Sequence, residues 1–318
     1  MFIGKRKGLM KKFGGLVLFC SLLFSCVNND VQKKEQQGEE KKVLVVTTTG
    51  MIGDLLFNLL PKEVEIHRLM KAGVDPHYYK ATQGDLVLMQ KADLVVYNGL
   101  HLEGKMTEIF EKLGRNKNVF AITEDVEKNR LRKTSEFVTG IDPHVWFDVT
   151  LWSEICEDVA QRLIKIYPKW TSEILANKEI HLKELEELNL EILSDLKQIP
   201  TDKRVLLTAH DAFAYFGRAY DIQVKGLQGI STSTEYGLKD IEDAVSLILE
   251  KQIKAVFVES SVSPKALQAV VERCQSKGHE LVIGGELFSD SMGEENSPEG
   301  TYIGMVRHNV HIIVSALK

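Results

Sequence analysis

From residue 43 onward, short apolar runs alternate with stretches whose apolar positions recur every three or four residues, the pattern of an α/β protein. In the first half, 43–47, 64–69, 93–98 and 118–122 fit strands, and 53–60, 84–91, 105–113 and 149–166 fit helices. The second half repeats the scheme, with strands at 205–208, 222–226, 255–259 and 280–283 and helices at 212–219, 238–251, 264–276 and 300–317. Asp148 stands in the N-cap position of 149–166, and Pro264 in the first turn of its helix after Ser263.

Between the halves lies 168–199, which has no Gly or Pro after Pro168. Ile174, Ile180, Leu182, Leu185, Leu188, Ile192, Leu193 and Leu196 follow helical spacing with charged residues between them. One helix here is about 45 Å long, enough to bridge two lobes. A coiled-coil seam is the alternative, but the run is barely four heptads, and two flanking α/β halves favour a stiff spine.

The first 26 residues differ in kind. Lys5, Arg6, Lys7, Lys11 and Lys12 precede a short apolar run from 16 to 24, too short to span a bilayer and suited to a signal peptide. Leu23-Phe24-Ser25-Cys26 resembles a lipobox, with Cys26 as the lipidated residue, and Phe19 is too bulky to serve the rival Cys20. The expected organisation is a leader at 1–25, a polar tether at 26–42, lobes at 43–167 and 200–318, and a linker helix at 168–199.

Removing 1–25 takes five of the 40 basic side chains and none of the 45 acidic ones, leaving a net charge of −10. An acidic surface argues against nucleic acid and steers cations inward. Cys156 and Cys274 lie in helical patterns of different halves, so buried free thiols are expected despite an oxidising compartment. No Gly-x-Gly-x-x-Gly follows the first strand, which argues against a nucleotide cofactor.

The chemistry concentrates at four places. Asp-Pro-His occurs twice, as Asp75-Pro76-His77 and Asp142-Pro143-His144, and each proline stiffens the loop that presents its histidine. His210 comes directly after the strand 205–208, and Asp290 lies beyond the strand 280–283. Ligands of open α/β sheets bind outside the carboxyl ends of the strands, so two facing lobes would bring these loops to one cleft. Three imidazoles and a carboxylate suit a borderline transition metal. His101, Glu259 and Glu286 fall near the same strand ends and are candidates for orienting a ligand. The remaining histidines belong to no constellation.

With these residues in view, the chain resembles the zinc- and manganese-binding lipoproteins of bacterial ABC importers, the TroA-like receptors with a helical backbone. The matching segments are Gly73-Val74-Asp75-Pro76-His77, Asn98-Gly99-Leu100-His101-Leu102-Glu103, Asp142-Pro143-His144-Val145-Trp146-Phe147-Asp148, His210-Asp211-Ala212-Phe213-Ala214-Tyr215-Phe216 and Leu287-Phe288-Ser289-Asp290-Ser291-Met292-Gly293. The resemblance implies two Rossmann-like lobes joined by one long helix, a metal between them, and His77, His144, His210 and Asp290 as its ligands. It also implies partnership with an ABC permease and its ATPase; monomer is the default expectation for a carrier that must dock, and the lipid anchor at Cys26 is its expected contact with the membrane. Zinc-specialised members often carry a His-rich loop before the second His motif, which 114–141 lacks, and manganese-specialised members usually have Glu where this chain has His210. Three nitrogen donors favour zinc, and manganese stays open.

Two other function classes compete with a carrier. A zinc hydrolase needs an open coordination position and a general base, which four protein ligands would deny it. A surface adhesin with a structural metal is compatible with lipid anchoring.

Overall fold

The computed structural model describes residues 42–135, 138–233 and 236–318. The expected leader, Cys26 and the tether up to residue 41 lie outside them. The chain folds into two parallel four-stranded sheets. The first comprises β1 (Leu44–Thr47), β2 (Glu65–Arg68), β3 (Leu94–Tyr97) and β4 (Asn118–Ala121), in the order β2-β1-β3-β4. The second comprises β5 (Val205–His210), β6 (Gln223–Gln228), β7 (Ala255–Glu259) and β8 (Val282–Leu287), in the order β6-β5-β7-β8. Both therefore reverse winding direction beside their first strand, which opens a crevice at the carboxyl ends.

Helices cover the sheets: α1 (Gly50–Leu59), α2 (Gln83–Lys91) and α3 (Thr107–Gly114) with the first, and α6 (Ala214–Tyr220), α7 (Leu238–Lys251), α8 (Lys265–Ser276) and α9 (Tyr302–Leu317) with the second. Strands buried on both faces need continuous apolar runs, and every residue of β5 is buried, whereas the edge strand β2 alternates exposed and half-buried positions. α4 (Val149–Ile166) starts where Asp148 accepts a hydrogen bond from Leu151 N, the cap that the sequence announces.

The spine is α5 (Thr171–Leu196), 26 residues or about 39 Å, preceded by a 3-10 turn at Pro168–Trp170. It packs along α4 and α1 on one side and α9 on the other, so one apolar core runs through both lobes. Its buried stripe is Ile174, His181, Leu185, Leu188, Ile192 and Leu196. Ile180 and Leu193, expected to face inward, are 61% and 42% exposed. At about 100° per residue, burying Leu185 and Leu188 brings His181 inward and turns Ile180 out.

Strands β5, β6 and β8 all run past their expected ends, β6 to Gln228 instead of 226. β5 runs on through His210, which pairs with Gln228 of β6. β8 runs from 282 to 287 instead of 280–283, passing straight through Gly284 and Gly285. There the glycines serve close packing: a Cβ on Gly284 would lie 2.8 Å from Ala316 of α9, and Gly285 has φ +151° at an irregularity in the pairing with β7. Cys156 and Cys274 are free and buried, and no helix among the described residues is long and apolar enough to cross a membrane.

Candidate metal centre

Each candidate ligand stands at the carboxyl end of a sheet. His77 lies in the loop after β2, His144 just before α4, His210 is the last residue of β5, and Asp290 follows β8. All four are buried, and one donor atom from each lies within 4.8 Å of the others. His77 Nε2 and His144 Nε2 are 3.3 Å apart. Asp290 Oδ1 is 3.3 Å from His144 Nε2, while its Oδ2 is 3.3 Å from His210 Nε2 and 3.6 Å from His77 Nε2. Asp290 therefore faces all three imidazoles, with one oxygen toward His144 and the other toward His210 and His77.

Carboxylates stand behind two of the rings. Asp142 Oδ1 is 2.7 Å from His144 Nδ1 and also accepts His144 N at 3.0 Å. Glu259, at the end of β7, lies 2.5 Å from His210 Nδ1 and accepts His210 N at 2.8 Å. A carboxylate on Nδ1 fixes the tautomer that leaves Nε2 as the metal donor and raises its basicity. Asp75 acts on the backbone of the first motif, accepting His77 N at 2.8 Å, and its other oxygen accepts Thr232 Oγ1 at 2.6 Å.

The site's charge follows from these contacts. Burial lowers the His77 pKa to about 3. Burial also opposes charge on His144, but Asp290 and Asp142 outweigh it and hold that ring up to about 9. For His210, burial is overcome by Glu259 and Asp290, so its pKa rises well above the usual value. Asp290, despite burial, is held well below the usual carboxylate range by His210 and His144. Without an ion the site is thus a proton-bridged cage.

The wall beside His144 is built by the motif from Asn98 to Glu103. Buried Glu103 accepts Thr48 Oγ1 at 2.6 Å and Asn98 N at 2.8 Å, and Asn98 Nδ2 donates to Pro143 O at 3.1 Å. Gly99 has φ +86°, and a Cβ there would meet Thr123 Oγ1 at 2.6 Å, so glycine is required. His101 shares this turn with φ +68° and points to the exposed side. Glu286 is exposed on β8 and does not join the cluster. Sequence reasoning read the Asp-Pro-His motifs for the stiffness of proline and missed their aspartates; the signal was the carboxylate two residues before each histidine.

Over residues 45–316 the chain matches the family described as zinc-uptake complex component A, periplasmic (ZnuA). The manganese-binding lipoprotein MntA of Bacillus subtilis (strain 168) is 48% identical over 271 residues, covering 85% of this chain and 88% of that protein. Zinc-binding protein TroA of Treponema pallidum (strain Nichols) is 44% identical, covering 85% of this chain and 87% of that protein. The solved structure of the Treponema pallidum periplasmic zinc-binding protein TroA superimposes with a TM-score of 0.84, covering 87% of this chain and 99% of that chain.

Proposed function

The chain belongs to this family of metal-binding receptors for ABC importers, and from that membership we propose that it captures zinc through His77, His144, His210 and Asp290 and hands it to a permease driven by an ATPase. The observation that carries the assignment is the spacing of the donor atoms. A tetrahedral ion with bonds of about 2.0–2.1 Å needs donor–donor edges of about 3.3–3.4 Å. With Oδ2 as the donor of Asp290, three of the six edges lie at 3.3, 3.3 and 3.6 Å, and one donor atom from each of the four residues lies within 4.8 Å of the others. Donors from two lobes enclose the ion, which suits cargo held for transfer better than a catalytic metal with an open position.

Zinc is the favoured cargo because three of the four side chains offer nitrogen. Manganese is the second reading. The manganese-binding relative supports it, as do the two oxygens of Asp290, which both face the imidazoles and supply a fifth donor. Cys26 as a lipid anchor, on the extracytoplasmic face of a bacterial membrane, agrees with relatives that are named lipoproteins. A monomer is the working state for a receptor that docks.

The test is metal content by mass spectrometry after equilibrating the stripped protein with buffered zinc and manganese together. One equivalent of zinc, lost in His77→Ala and His210→Ala, is expected. One equivalent of manganese would keep the receptor and overturn the selectivity. No stoichiometric metal would sink the assignment.

A further inference from the structure

The two loops that carry Asp-Pro-His are attached to the second lobe in different ways. The second is bolted down inside the protein. Residues 142–148 are all buried. Tyr215 Oη donates to Asp142 O at 3.0 Å, Trp146 Nε1 donates to Ser289 O at 3.1 Å, and Tyr302 Oη donates to Trp146 O at 2.7 Å. Each of these bonds joins an aromatic side chain in the core to backbone across the lobes, and none can break without opening that core.

The first loop, by contrast, runs along the surface. Lys71, Gly73 and Tyr78 are exposed and Asp75 is half-buried, although His77 itself is buried. Two small hydroxyl side chains fasten it to the second lobe. Thr232, in the loop after β6, donates to Asp75 Oδ2 at 2.6 Å. Ser291 Oγ accepts Gly73 N at 2.8 Å and faces Lys71 O at 3.4 Å. Asp75 joins the two functions: one oxygen shapes the turn that presents His77, and the other reaches across the cleft.

We infer that Thr232 and Asp75, with Ser291 and Gly73, form a cross-lobe latch over the metal, and that release begins when this latch parts and His77 swings out with its loop. The inference rests on the metal reading above. His144, His210 and Asp290 stay behind as a fixed half-cage, because their supports lie in the core. The latch sets how long the ion stays, while the fixed half sets most of the affinity. Asp75 and Thr232 are positioning residues; neither supplies a donor to the ion.

The test is Thr232→Val, which removes the donor and keeps the branched shape. In stopped-flow transfer of zinc to an excess of chelator, the off-rate is expected to rise by about tenfold or more, as for loss of a hydrogen bond to a charged group. Thr232→Ser should restore the wild-type rate, and Ser291→Ala should also speed release. A general loss of fold would lower the thermal midpoint of the metal-free protein by far more than the few degrees expected when Thr232→Val removes one hydrogen bond. A second measurement needs no metal: amide hydrogen exchange of the metal-free protein should accelerate at 73–77 in Thr232→Val and stay as in wild type at 142–148. Unchanged exchange at 73–77 overturns the latch. Faster exchange there with an unchanged zinc off-rate overturns its part in release. If the wild type holds no stoichiometric metal, the metal assignment fails, and the exchange measurement still decides whether the latch exists.

Discussion

The two Asp-Pro-His motifs are identical in sequence and opposite in electrostatics. In both, the aspartate accepts the amide of the histidine two residues on, at 2.8 Å in the first and 3.0 Å in the second, so the tripeptide encodes the same turn. Beyond that turn they part. Asp142 also meets the ring of His144, and with Asp290 it holds that pKa up to about 9, whereas burial drives His77 down to about 3. Asp75 turns its second oxygen to Thr232 instead. A short motif thus specifies its own backbone, and its surroundings decide what the charge does.

The sharpest way to break the comparison is to remove the fixed ring. His144→Ala is expected to cut zinc affinity by more than about 100-fold, beyond the range typical of partners behind a ligand, measured by competition with a calibrated chelator. Next come the aspartates. Asp142→Asn should cost about 10–100-fold in equilibrium affinity, and Asp75→Asn clearly less, by titration calorimetry. Equal losses would erase the asymmetry between the motifs.

Proton linkage is the third test. With its pKa near 9, His144 carries a proton in the metal-free protein at neutral pH, so an entering ion must displace it. Affinity is therefore expected to fall by about tenfold per pH unit per proton as pH drops below 9, while His77 contributes nothing in that window. Calorimetry at neutral pH in buffers of different ionisation enthalpy should count at least one proton released; none would contradict the proton-bridged cage. The metal-free fold responds at both ends. The stability contributed by His144 is full below its usual 6.5 and lost as pH rises through about 9. That contributed by His77 is present above 6.5 and lost as pH falls towards about 3. The smallest effect belongs to the brace on the second motif: Asn98→Ala, which frees Pro143 O, should cost about 1 kcal/mol in thermal or denaturant unfolding.

Much of this architecture is legible in the sequence because hydrophobic periodicity is local. Both parallel sheets, the spine and the convergence of His77, His144, His210 and Asp290 at strand ends follow from spacing, the rule for open sheets and the resemblance. The misreadings have physical causes. The strand expected to end at 283 continues to Leu287, because Gly284 and Gly285 let β8 pass close beneath α9. Ile180 looks like core, yet its neighbour His181 takes the buried face.

What the sequence alone determined was which segments become strands and helices, and which loops carry donors, since both depend on residues a few positions apart. What the tertiary structure decided was how those donors are charged and held. Glu259 meets the amide of His210 across 49 residues, and Thr232 meets Asp75 across 157. A carboxylate's partner and its desolvation depend on what folding brings beside it, and no local pattern encodes that distance.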